Sequence, residues 1–300
     1  MSTRGVKPLL SVIVPVTKMA GKMNLLASWT IHTLDLNIEV IIIHDIGDLA
    51  TGTELKKLIH ENSLSNVILI EGRYGSPGFA RNAGLEVATG EWFVFWDSDD
   101  RPLVNNVMLA LSNASASDEI IIGNFNTRNY VNESIRYHYP KNTSYKSVAM
   151  NPGVWRMIFR SEIINELKFT NLRSGEDQVF LSQLNFVEKN CKYVQQIFYE
   201  YSIGQVFQLT NSLESLSNLP SASELVLREA LHHRGSSRMF DLILIIRQQI
   251  TLIRRGNFTL RIRVINFVLK FVKNSKLPML LSSIQALFFV VLNLRRSRII

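Results

Sequence analysis

Residues 93–102 read FVFWDSDDRP. An apolar run, Phe93 to Trp96, stops at three carboxylates in four residues: Asp97, Asp99 and Asp100. Like charges this close repel one another unless something offsets them. Two chemistries do so. Mg²⁺ takes a few carboxylates, keeps waters and completes its shell with phosphate oxygens, so an Asp-x-Asp at a strand end clamps a metal to a diphosphate. Alternatively Asp97, Ser98 or Asp99 caps a helix beginning near Pro102, where negative charge meets the positive end of the dipole. The position directly after a buried strand favours the metal. Asp45 ends a second apolar run, IEVIIIHD. Glu176 and Asp177 stand in RSGEDQVF, where the plain alternative is an acidic first helical turn.

The elements that must position these groups alternate. Residues 9–16 (LLSVIVPV) and 38–45 are continuous apolar, β-branched runs, as strands covered on both faces should be, and 66–72 is a third strand. Helices are expected near 22–34 and over 49–62. A third is expected to open at Ser76-Pro77 and close at Gly90. Residues 91–96 and 119–125 are a fourth and a fifth strand. Such alternation predicts parallel strands with right-handed crossovers, and ligands then bind beyond the carboxyl ends of the strands. Asp45 and the 97–100 cluster both fall on that edge. Arg81 lies on the helix between and either approaches a ligand there or forms a structural ion pair.

Composition bounds the reading. The chain has 300 residues, 46% apolar and 19% charged, which excludes a disordered polymer. A single cysteine, Cys191, forbids an internal disulfide and fits a reducing compartment. The histidines show no metal-ligand spacing, and GRYGSPG is neither a dinucleotide fingerprint nor a P-loop. The net charge of +8 is unevenly placed. Residues 231–300 hold 13 Lys and Arg against one acid, Asp241; residues 1–230 hold 20 Lys and Arg against 24 Asp and Glu. The shift near NLPSAS (218–223) predicts a boundary, with a catalytic domain over 1–215 and a basic helical extension over 216–300.

Several stretches in order resemble glycosyltransferase family 2: LSVIVPV, EVIIIHDIGD, GFARNAGLEVATGEWFVFWDSDD, VWRMIFRSEIINELKF, RSGEDQVFLSQL and IFYEYSIG. The resemblance covers about residues 8–205. It implies an α/β fold of GT-A type, a Rossmann-like, mostly parallel mixed sheet flanked by helices. It implies a metal-dependent, inverting sugar transfer of hexosyltransferase type, from a nucleotide-diphosphate donor, expected to be a UDP-sugar, to an acceptor hydroxyl. The expected setting is cell-surface polysaccharide or glycolipid synthesis. By the resemblance, Pro15, Val16 and Asp45 contact the nucleotide base, Asp97 faces the ribose, and Asp99 binds Mg²⁺ or Mn²⁺ across the diphosphate. Arg81 reaches the nucleotide, and Asp177 is the base that deprotonates the acceptor, with Glu176 as the alternative base or an acceptor ligand. Trp155 is either an acceptor-side stacking ring or core.

There are departures. His44 stands first in the usual Asp pair, Ile46-Gly47 replaces Gly-Ser, and Val16-Thr17-Lys18 replaces the usual Tyr-Asn. The Gln-x-x-Arg-Trp of processive synthases does not follow Asp177, so addition of one or very few sugars is expected. The alternatives are a nucleotidyltransferase, whose Gly-rich Arg-bearing loop is missing, and a silent binding protein, which would have lost carboxylates.

The tail differs in kind. RMFDLILIIRQQITLIRR and NFTLRIRVINFVLKFVK predict apolar helices studded with bases. Arg263, Asn266, Lys270 and Lys273 share one face of the second. Residues 277–294 are 18 residues without charge, at the short limit for a span and diluted by Ser282, Ser283, Gln285 and Asn293. These features predict helices lying on an anionic membrane. The chain would then be cytoplasmic, peripherally bound to the inner face and close to a glycan or lipid-linked acceptor. The alternative is a bundle packed on the catalytic domain. Nucleic acid is not expected, because the bases sit in aliphatic helices.

Overall fold

A computed structural model describes residues 7–129, 132, 134–138, 144–164, 166–204 and 212–293. The bases at 295, 296 and 298 lie outside the described residues. The chain divides into two compact units. The first comprises Met1–Tyr139, Val154–Lys168 and Asn190–Val206; the second comprises Pro140–Gly153, Phe169–Lys189 and Phe207–Ile300.

The first unit is a mixed sheet with helices. In chain order it runs β1 (Leu10–Val16), α1 (Met23–Thr30), β2 (Ile38–Asp45), α2 (Leu49–Glu61), β3 (Val67–Gly72), α3 (Pro77–Leu85) and β4 (Trp92–Phe95). There follow β5 (Arg101–Pro102), α4 (Val104–Ser112), β6 (Ile120–Asn129), β7 (Ile135–His138), β8 (Met157–Arg160) and β9 (Cys191–Ile203). The strand order is β3-β2-β1-β4-β8-β6-β9-β5, with β7 on β6. β1 pairs in parallel with both β2 and β4, and β2 with β3. β1, β2 and β4 are buried nearly throughout, as apolar runs covered on both faces require, whereas β3 ends the strand order and is half-buried, with Ile68 41% exposed. The expected fifth strand, β6, does not continue the series beside β4. The antiparallel β8 lies between them, so the sheet is mixed.

One buried acid ties the lower end of this sheet. Glu39 Oε1 accepts from Ser11 Oγ (2.5 Å), Thr89 N–H (2.6 Å), Thr89 Oγ1 (3.0 Å) and Gly90 N–H (3.1 Å). These bonds draw the chain out of the helix early. α3 therefore ends at Leu85, and Gly90 is not its cap. Gly90 is glycine for another reason: a Cβ there would stand 2.5 Å from Ser11 Oγ and 2.7 Å from Ser11 N.

The second unit is helical: α5 (Tyr145–Met150), α6 (Glu176–Gln183), α7 (Leu213–Leu216), α8 (Leu219–His232), α9 (Gly235–Arg255), α10 (Phe258–Asn274) and α11 (Leu277–Asn293). The composition shift at 218–223 is the start of α8, with Pro220 in its first turn, where a missing N–H is harmless. α9 is the centre of the unit and packs against α5, α8, α10 and α11. Its buried Asp241 accepts from Ser182 Oγ (2.7 Å) and meets His233 Nδ1 at 2.7 Å.

Candidate active site

β1, β2, β3 and β4 end along one edge of the first unit; Pro15, Val16, Asp45 and the 97–100 cluster lie at the ends of β1, β2 and β4, whereas Glu176 and Asp177 belong to the second unit. β4 delivers Asp97, Ser98, Asp99 and Asp100 directly after Trp96. Three interactions shape this turn. Arg81, 3% exposed on α3, donates from Nη2 to Asp97 Oδ1 at 2.9 Å. The Asp97 N–H donates to the Tyr199 hydroxyl at 2.9 Å. The Ser202 N–H donates to Asp100 Oδ1 at 2.6 Å. The segment is thus held from α3 on one side and β9 on the other. It does not cap α4, whose N-cap is Leu103 without a side-chain bond.

Like charges in the cluster are only partly offset: Arg81 pairs with Asp97, and the Lys22 charge lowers Asp99. Burial, then the neighbouring Asp97 charge, push the Asp99 carboxyl up to about 6. Burial, then Asp99 and Asp97, hold Asp100 well above the carboxylate range, and the Ser202 N–H and the Tyr199 hydroxyl offset only part of that rise. Asp100 Oδ2 is buried with no partner in hydrogen-bond geometry among the described residues. An orphaned carboxylate oxygen beside two like charges fits a divalent cation. No three His, Cys, Asp or Glu side chains among the described residues already converge as a metal cage. A cation here would complete its shell with phosphate oxygens and water, as Mg²⁺ does.

Asp45 ends β2 on the same edge. Its carboxylate accepts from the N–H of Gly47 (3.1 Å), Tyr74 (3.2 Å) and Gly75 (3.0 Å). Burial alone would raise it, but these three donors outweigh burial and hold it below the usual value. Asp45 therefore shapes the loop after β3 as well as facing the edge. Pro15 is half-buried and the Val16 side chain is buried, so Val16 offers a ligand its main chain only. His44, at the departing position, is a satisfied core residue: Nε2 meets the Asp48 carbonyl at 2.9 Å and Nδ1 faces Glu71 at 3.4 Å. Asp48 caps α2 and also accepts from the Lys18 N–H at 2.6 Å, which fixes the loop after β1.

Trp155 is 8% exposed. It stacks on Tyr199 (4.6 Å between centroids) and Tyr201 (5.6 Å) and meets Phe125 edge-on. Its ring faces are packed rather than offered to a sugar. Its place is behind the cluster, buttressing the tyrosine that binds Asp97. Asp177 and Glu176 open α6 in the second unit. Gly175 precedes them in the left-handed region, at φ +87°. Glu176 is buried and Asp177 half-buried. Sequence reasoning missed Tyr199 and Ser202. Their only local signal is the alternation in FYEYS, which puts Tyr199 and Tyr201 on one side of β9.

Residues 11–173 match the model of "Glycosyl transferase family 2". Glycosyltransferase GlyA of Streptococcus pneumoniae is 21% identical over 65% of this chain, which spans only 30% of that protein's length. A glucosyltransferase of Escherichia coli, WfgD, is 24% identical over 69% of this chain and 82% of its own. Among solved structures, Staphylococcus aureus TarS 1–349 in complex with UDP-GlcNAc has a TM-score of 0.64 at 17% identity, covering 94% of this chain and 80% of that one. A Pyrobaculum calidifontis mannosyltransferase in complex with GDP-Man and Mn²⁺ has a TM-score of 0.56 at 12% identity, covering 96% and 87%. At these identities the structural likeness is one of fold.

Proposed function

Because the chain belongs to glycosyl transferase family 2 and has the GT-A fold, we propose that it moves one sugar from a nucleoside-diphosphate donor to an acceptor hydroxyl, with inversion at the anomeric carbon. The observation that carries this reading is the acidic cluster at the end of β4, held by Arg81, Tyr199 and Ser202. Asp99, with Asp97 or Asp100, would hold Mg²⁺ or Mn²⁺, which when bound neutralises charge on the departing diphosphate. Asp97, fixed by Arg81, faces the ribose. Asp45 and the main chain at Pro15 and Val16 form the base side. Asp177, with Glu176 beside it, takes the acceptor proton; a carboxylate in that role raises the nucleophilicity of the attacking oxygen as the sugar–phosphate bond breaks.

Support for a UDP-sugar donor comes from relatives. WfgD is named as a UDP-glucose glucosyltransferase acting on a diphosphoundecaprenol-linked GlcNAc, and a TarS structure contains UDP. The proposed acceptor is a glycan or a lipid-linked precursor in cell-surface polysaccharide or glycolipid assembly. The proposed place of work is the cytoplasmic face of a membrane. Titration calorimetry with UDP and GDP, with and without Mn²⁺, followed by a screen of nucleotide-sugars for metal-dependent hydrolysis, tests the reading. Metal-enhanced binding of one diphosphate is expected. Absence of metal-enhanced binding for every nucleoside diphosphate would overturn it.

A further inference from the structure

We infer that α10 and α11 form a surface that lies flat on an anionic phospholipid bilayer, an inference that rests on the membrane-side role proposed above. On α11 the buried residues are Met279, Ala286 and Val290, where the helix packs on α9. The opposite stripe follows a four–three spacing and is wholly apolar. In it Leu281 and Ile284 are each 53% exposed, Phe288 66% and Leu292 75%. α10 repeats the arrangement: Leu260 and Val264 turn inward, while Ile262 and Leu269 face out. Of 24 exposed large hydrophobic side chains among the described residues, 14 lie within residues 253–292. Exposed apolar stripes of this kind mark an interaction site rather than a water-facing one.

Charge decides the occupant. No Asp or Glu follows Asp241, and 11 Lys and Arg do. Arg261, Lys270, Lys273 and Lys276 are exposed beside the apolar stripes. A second copy of the chain would bring these bases against one another. A nucleic acid would neutralise the bases but leave the leucines and phenylalanines in water. Anionic headgroups over an acyl boundary satisfy both sets. The helices lie rather than span, because one side of α11 is already used against α9, and no described helix is long and apolar enough to cross a membrane.

The test uses the full chain and sedimentation with vesicles of phosphatidylglycerol in phosphatidylcholine, beside pure phosphatidylcholine. At low salt, at least tenfold stronger partitioning onto the anionic vesicles is expected. The exposed-face variant Ile284→Glu/Phe288→Glu should lose at least tenfold of that binding, and Lys270→Gln/Lys273→Gln should lose the salt-sensitive part. Carbonate at pH 11 should strip the wild type. Indifference to anionic vesicles, or unchanged binding by the Glu variant, would overturn the inference. So would retention after carbonate, which means spanning. A wild-type dimer that the Glu variant splits, without vesicle binding, would instead assign the surface to a second copy. UDP–Mn²⁺ calorimetry on the same proteins separates the two readings. Lost vesicle binding with intact nucleotide binding removes only the docking surface. The reverse removes only the glycosyl-transfer reading.

Discussion

Replacing Asp99 by Asn should stabilise the metal-free protein while abolishing the proposed metal-dependent binding of the donor. The side chain keeps its shape and loses its charge. Burial and Asp97 raise the Asp99 carboxyl from 3.8 to about 6. At about 1.4 kcal/mol per pKa unit, keeping it ionised in the native state at neutral pH costs about 2–3 kcal/mol. The sign follows from the direction of the shift. A carboxyl whose pKa rises on folding binds its proton more tightly in the native state, so native stability falls as pH rises from about 4 to about 6. Asp99→Asn removes that penalty. The variant should therefore exceed the wild type by about 2–3 kcal/mol at pH 7.5, and the gain should fade on acidification through 6 towards 4. Urea denaturation in chelator at pH 7.5 and 4.5 reads this directly. Mn²⁺ with UDP should then stabilise the wild type and leave Asp99→Asn unmoved. If the variant is no more stable than the wild type at pH 7.5, the claim that burial and Asp97 hold Asp99 above its usual range fails. If its UDP binding still responds to Mn²⁺, Asp99 is not the cation's ligand.

Asp177→Asn is expected to bind donor as the wild type does while transfer slows by ~10²–10⁴, measured by product formation beside calorimetry; wild-type turnover would reduce Asp177 to an acidic first-turn residue. Tyr199→Phe keeps the stack on Trp155 but strips the acceptor from the Asp97 N–H, and should cost about 1–3 kcal/mol in urea denaturation. Gly90→Ala drives a methyl into Ser11 beside the Glu39 network, and a loss of about 1–3 kcal/mol is expected in the same assay.

Much of this protein was legible locally. Continuous apolar runs specify buried strands, so β1, β2 and β4 are legible from short-range pattern, and the alternation of strands with helices gives their parallel direction. Three aspartates after such a run announce an unfinished charge balance, and acid-free amphipathic helices announce a surface other than water. Other features required the fold, because their partners are distant in sequence. Asp97 meets Tyr199, and Asp100 meets Ser202, each across 102 residues. Nothing within a window of the sequence ties these positions together. The same is true of Trp155, whose aromatic type suits a sugar face or a core equally until Tyr199 and Tyr201 are seen against it. Tertiary structure also inserted β8 between β4 and β6, ended α3 five residues before Gly90 through the Glu39 hydrogen bonds, and turned one side of α11 onto α9. Periodicity shows that a helix has two faces; only packing shows which of them is already occupied.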